Sequence, residues 1–132
     1  MNKHSLLLLR FAGVFGVIGA ILGAHMAGAG SYAFRPVHAH ILVVGWLSLF
    51  AWSVYYKVFQ TSETLLTKIH VWTAIIGSIG LSGGMWLYMV KPFDLPEPLS
   101  LVLYIGGGVA LLVSFIIFFL ITLFYREEEC NG

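Results

Sequence analysis

The stretch PLSLVLYIGGGVALLVSFIIFFLITLFY, from Pro98 to Tyr125, contains no Asp, Glu, Lys or Arg. A helix rises about 1.5 Å per residue, so roughly 20 apolar residues cross a hydrocarbon core of about 30 Å. This stretch alone is long enough to pass through a bilayer. In lipid the backbone must satisfy its own hydrogen bonds. The alternating segments of roughly ten residues that mark a β-barrel are absent, so the stretch reads as a helix. Three further stretches are equally free of charge: Phe11 to Phe34, Pro36 to Tyr56 and Ile69 to Val90. The pattern predicts four membrane helices, at about 6–27, 38–58, 69–90 and 99–125.

Composition agrees. The 132 residues are 59% apolar and 10% charged, with a mean hydropathy of +0.92. A soluble domain carries about 25% charged residues, so a soluble enzyme is excluded. Net charge is +1 and no basic run exists, so no nucleic-acid partner is expected. Cys130 is the one cysteine, so no internal disulfide can form and no Cys-x-x-Cys-His haem attachment exists. The expected fold class is therefore all-α, an integral membrane four-helix bundle forming a single domain over residues 1–132.

The connections are short: Gly28 to Pro36, Gln60 to Thr64 and Lys91 to Pro98, with proline recurring where helices must stop. The first apolar run exceeds the 7–15 residues or so of a signal-peptide core, so it reads as a retained helix. Lys3, Arg10, Lys57, Lys68 and Arg126 fall on the side shared by both termini and the second loop, against Arg35 and Lys91 opposite. The positive-inside rule then puts both termini in the cytoplasm, with a bacterial or archaeal cytoplasmic membrane as the expected location. Small residues recur at Ala12, Gly16, Gly19, Ala20, Gly23 and Ala24, at Gly80 and Gly84, and at Gly106 to Gly108. Such residues let helices approach closely where no hydrophobic effect drives association. They equally leave room for a flat cofactor.

Every acidic residue (Glu63, Asp94, Glu97, Glu127, Glu128, Glu129) lies in a loop or tail. Proton pumps keep carboxylates at membrane depth, so proton pumping is not expected, and no nucleophile with a plausible base is present. The histidines carry the chemistry instead. His25, His38 and His40 fall near the outer face, while His4 and His70 fall near the inner one. His40 and His70 are roughly 30 Å apart by helix rise, so a metal with bonds near 2 Å cannot bridge them within one chain. His38 and His40, two residues apart, project about 200° from each other. They cannot serve one metal from a regular helix but can serve two adjacent sites. An interfacial histidine can also simply hydrogen-bond a carbonyl or headgroup, the ordinary reading for His4 and His70. Imidazole suits iron, copper and zinc alike. Trp and Tyr read as interfacial or packing residues, and Met26, Met85 and Met89 as core.

The segment His38-Ala39-His40-Ile41-Leu42-Val43-Val44-Gly45 resembles the His-x-His segment of subunit I of the haem-copper oxidases. The resemblance runs on through Tyr55-Tyr56-Lys57-Val58-Phe59 to Lys68-Ile69-His70-Val71-Trp72, which is similar to that family's Lys-Ile-His-Phe-Trp helix start. Arg35-Pro36-Val37-His38 also resembles the Arg-Pro-x-His start of the second helix in the cbb-type oxidases, where the histidine holds the low-spin haem. In that family subunit I has twelve helices in three arcs of four. In its His-x-His segment the first histidine holds the high-spin haem and the second the low-spin haem. By this resemblance His38 matches the first and His40 the second, and His70 matches a non-ligand.

The departures are equally specific. This chain has one arc's worth of helices, lacks the His-Pro-Glu-Val-Tyr segment and the paired copper histidines, and carries Ile41 where many members have Tyr. A complete oxidase is not expected. The resemblance implies a homotrimer rebuilding the twelve-helix ring, with haem b at subunit interfaces. His38 and His40 would be the axial ligands, His25 the reserve ligand, and Arg35 the partner of the propionates. Two histidines on iron favour electron transfer with an unidentified redox partner; one leaves a position for a diatomic gas. The alternatives are a haem-free accessory or assembly subunit of a respiratory complex, and a copper-handling membrane protein.

Overall fold

A computed structural model describes residues 2–59 and 61–125; Gln60, Arg126, the three tail glutamates and Cys130 lie outside the described residues. Four helices are long and apolar enough to cross a membrane: α1 (Lys3–Ala29), α2 (Arg35–Val58), α3 (Leu65–Val90) and α4 (Glu97–Phe124). No strand occurs among the described residues. The integral-membrane, all-helical expectation is met by length and composition.

Each helix begins a few residues before its expected start, because polar caps extend α1 and α3 and prolines open α2 and α4. Asn2 Oδ1 accepts from the His4 amide at the head of α1, and Thr64 Oγ1 accepts from the Thr67 amide at the head of α3. These caps satisfy amides that have no intrahelical acceptor. Pro36 and Pro98, expected as loop residues, instead occupy the first turns of α2 and α4. There a missing N–H is harmless and the fixed φ already suits a helix. Gly30 closes α1 at φ 62°, the left-handed conformation that glycine adopts without a Cβ penalty.

Both helical hairpins are antiparallel, as the pairings show. In the first, Gly16 lies against Trp46, Gly19 against Leu42 and Gly23 against His38. In the second, Gly77 lies against Leu111, Gly80 against Gly107 and Gly84 against Tyr104. The α3–α4 contact is backbone on backbone, because a Cβ built at Gly80 would stand 2.9 Å from the Gly107 Cα. Small residues do the packing here that was read from the sequence, although Gly106 faces open space. The hairpins join through α2, whose Trp52 meets Phe115 and Phe118 of α4 and whose Val44 carbonyl accepts from Ser78 of α3. Leu8, Val37, Leu49, Tyr56, Val71 and Ile75 form the centre. Met85 is buried there as expected, but Met89 is 52% exposed, because it sits in the last turn of α3 on its outward side.

A reciprocal serine clamp fastens α1 to α2. Ser5 Oγ donates to the Ser53 carbonyl at 2.9 Å and Ser53 Oγ donates to the Ser5 carbonyl at 2.7 Å, both side chains buried. Interhelical hydrogen bonds in membranes average about 0.6 kcal/mol and reach about 1.7. Ser5→Ala and Ser53→Ala should each lower stability by about 1 kcal/mol, and the double variant by about the sum, because each hydroxyl donates to a backbone carbonyl that the other substitution leaves in place, read by steric trapping in detergent micelles.

Two helices contain π-helical turns that the sequence reading did not anticipate, at Ile41–Ser48 in α2 and Trp86–Val90 in α3. The second ends at Lys91, whose φ of 51° is the one positive value among non-glycine residues described. A left-handed conformation costs an L-residue about 1–2 kcal/mol. The Lys91–Glu97 ion pair, at 4.0 Å with both side chains well exposed, returns about 0–1 kcal/mol at most. Lys91→Gly should therefore raise the thermal midpoint slightly rather than lower it.

Candidate functional site

The candidate site is built at the end of the bundle where α2 begins. Pro36 lies in the first turn of the helix, and its carbonyl, with two lone pairs, accepts a second bond from the side chain one turn on. His40 Nδ1 lies 2.8 Å from the Pro36 oxygen. A carbonyl can only accept, so Nδ1 carries the proton and Nε2 is left with its lone pair. His40 then lines an open groove of about 330 Å³ between α2, α3 and α4, with Ala39, Val43, Val44, Leu81 and Leu111 as the other walls. The first π-helical segment begins at the next residue. Such segments recur at functional sites because they alter where side chains on one face project.

His38 faces the other way. Its ring packs against α1 at Gly23, where a Cβ would come within 3.0 Å of its Cε1. Its Nδ1 is buried and has no hydrogen-bond partner among the described residues. An unsatisfied buried nitrogen costs about 1–3 kcal/mol, so this atom is suited to a partner from outside the chain. The opposed projection expected from a two-residue spacing is thus present.

His25 is exposed near the end of α1 and meets the edge of Phe34 at 5.9 Å between centroids. Arg35 is exposed, with its guanidinium 4.3 Å above the Tyr32 ring. Each therefore already leans on an aromatic neighbour. Among the described residues no three His, Cys, Asp or Glu side chains converge as a metal site within one chain.

At the opposite end a second polar constellation escaped the sequence reading. The Tyr56 hydroxyl lies 2.6 Å from His70 Nδ1, and both residues are fully buried. The hydrogen-bond reading of His70 is correct in kind, but its partner is a phenol in the core rather than a carbonyl or headgroup. Trp52 packs edge-on at 4.8 Å and Phe118 at 5.4 Å. Tyr56 precedes His70 by fourteen residues across a loop, so no local spacing reports the pair. The only available signal was that both sit beside an uncharged run.

The chain matches no protein-family model, no curated protein and no solved structure. The site must therefore be read from its own chemistry.

Proposed function

We propose that this chain is a small b-type membrane haem protein that transfers electrons or binds a diatomic gas. The observation that carries the reading is His40: its Nδ1 proton is tied to the Pro36 carbonyl, and the ring borders an open apolar groove. A ligating imidazole nearly always donates its other N–H in this way, which fixes ring and tautomer. His40 would be the first ligand and His38, with its orphaned Nδ1 on the opposite side of α2, would serve a neighbouring site. Arg35 supplies a cation at the same end for propionate carboxylates, and His25 is the reserve ligand. When bound, haem would supply one-electron chemistry or an open iron position; this chain supplies the ligands and a dry wall.

The groove is open to one side and too small to enclose a porphyrin. Cover from further copies of the chain is part of the reading: the resemblance to one arc of subunit I favours a homotrimer, and the positive-inside rule favours termini in the cytoplasm. Glu97, expected in a loop, instead stands in the first turn of α4; it is the one acidic residue in the four described spans and lies at a helix end rather than at membrane depth, so proton pumping is not part of the reading. The test is a reduced-minus-oxidised spectrum of detergent-solubilised protein from haem-replete cells, followed by a pyridine haemochrome. Sharp reduced bands of b-type haem support the proposal, and a shift with carbon monoxide identifies an open position. Colourless protein leaves the haem-free accessory reading, and copper without iron leaves the copper-handling one.

A further inference from the structure

The structure assigns a second, independent redox element: Tyr56 and His70 form a phenol–imidazole pair built for proton-coupled one-electron oxidation of the tyrosine. This inference does not rest on what the histidines at the opposite end hold.

The hydrogen-bond direction follows from satisfaction. With the phenol O–H donating to Nδ1, one buried group, the Nε2 hydrogen, lacks a partner. With Nδ1–H donating to the phenol, both the phenol hydrogen and the Nε2 lone pair lack one. His70 Nε2 has no partner among the described residues, so the first arrangement leaves less unsatisfied. Tyr56 is thus the donor and His70 the base, at 2.6 Å. That is at the short end for such a bond.

Consider removal of one electron. An oxidised phenol that keeps its proton is a strongly acidic cation radical. Here the proton has a base already in contact. Tyr56 gives one electron to the oxidant, its O–H bond breaks, an N–H bond forms at His70 Nδ1, and the products are a neutral tyrosyl radical and an imidazolium. The reverse step, on re-reduction, returns the proton to the oxygen, so nothing is consumed. The net charge of the pair rises by one whether or not the proton moves, and imidazole holds that charge far better than phenol does.

The surroundings serve the same end. Both rings are 0% exposed, so water neither competes for the proton nor quenches the radical. Trp52 against His70 and Tyr55 at 5.7 Å from Tyr56 are further oxidisable rings within contact range, a route by which a hole can enter or leave. The oxidant class is a one-electron acceptor of high potential. In the test it is a photogenerated ruthenium(III) polypyridyl complex, added to the detergent-solubilised full chain.

Flash–quench oxidation should give a tyrosyl radical by electron paramagnetic resonance, formed more slowly in D2O. With 3,5-difluorotyrosine placed at position 56, the signal should acquire fluorine hyperfine splitting; this substitution preserves ring and hydroxyl and so the fold. Tyr56→Phe should lose the signal. His70→Gln, which can accept the hydrogen bond but not the proton, should slow radical formation at least tenfold while leaving helicity unchanged. An unsplit signal in the difluorotyrosine protein, or a wild-type rate in His70→Gln, overturns the assignment.

Discussion

If the chain holds haem as proposed, His40→Ala should reduce the haem absorbance of the purified protein at least tenfold, with the apoprotein still folded. The magnitude follows from the hierarchy of ligand shells. Disturbing a residue that merely orients a ligand lowers metal affinity about 10–100-fold, and removing the ligand itself must do at least as much. The structure also ranks the other candidates. His38→Ala should weaken or shift the spectrum less, because its ring is braced against Gly23 and away from the groove. His25→Ala should leave most of the absorbance, because that side chain is exposed and lies edge-on to Phe34 rather than on the groove. Optical titration of haem into each variant, paired with circular dichroism, measures this directly. Equal haem content in the His40→Ala and wild-type proteins would falsify the ligand assignment.

Gly107→Leu should be the most destabilising single change in the bundle, by about 3 kcal/mol or more. A Cβ at Gly107 would collide with the backbone of Gly80 and Leu81, which cannot rotate away as a side chain can. Overpacking a well-filled contact costs about 1–3 kcal/mol when neighbours can shift. Here the neighbour is the helix axis itself. In lipid, moreover, close packing is the main force holding α3 to α4, so separating the axes removes the interaction as well as straining it. The adjacent Gly106 faces open space, so Gly106→Ala is the control and should stay within about 0.5 kcal/mol of wild type. Steric-trap unfolding in micelles compares the two, and equal stability of Gly107→Leu and Gly106→Ala would remove the backbone contact from the account.

The candidate site was only partly legible. His38, His40, His25 and Arg35 could be assigned to one end, because depth follows from counting residues along uncharged runs. Opposed projection of His38 and His40 follows from the helical period. The Pro36 carbonyl under His40 could not be read, because Pro36 looked like the end of a loop rather than the first turn of a helix. In the sequence Tyr56 and His70 read separately, as an interfacial or packing tyrosine and an interfacial histidine. What joins them is the antiparallel register of α2 and α3, which no spacing within either helix encodes.

The number of helices long and apolar enough to cross a membrane, and their approximate limits, are legible in the sequence alone, because length and hydropathy are local properties of each run. An uncharged run of sufficient length must be a helix whatever it packs against. Helix starts were set instead by caps and prolines, polar details that hydropathy averages away. Which glycines meet backbone and which face open space was decided by tertiary structure: Gly106 and Gly107 are indistinguishable in composition and differ by about 100° around α4. The same holds for the buried phenol–imidazole pair and for the groove beside His40. Each exists only once two or three helices have chosen their faces, and that choice depends on the shape of side chains across the contact rather than on the polarity of either one.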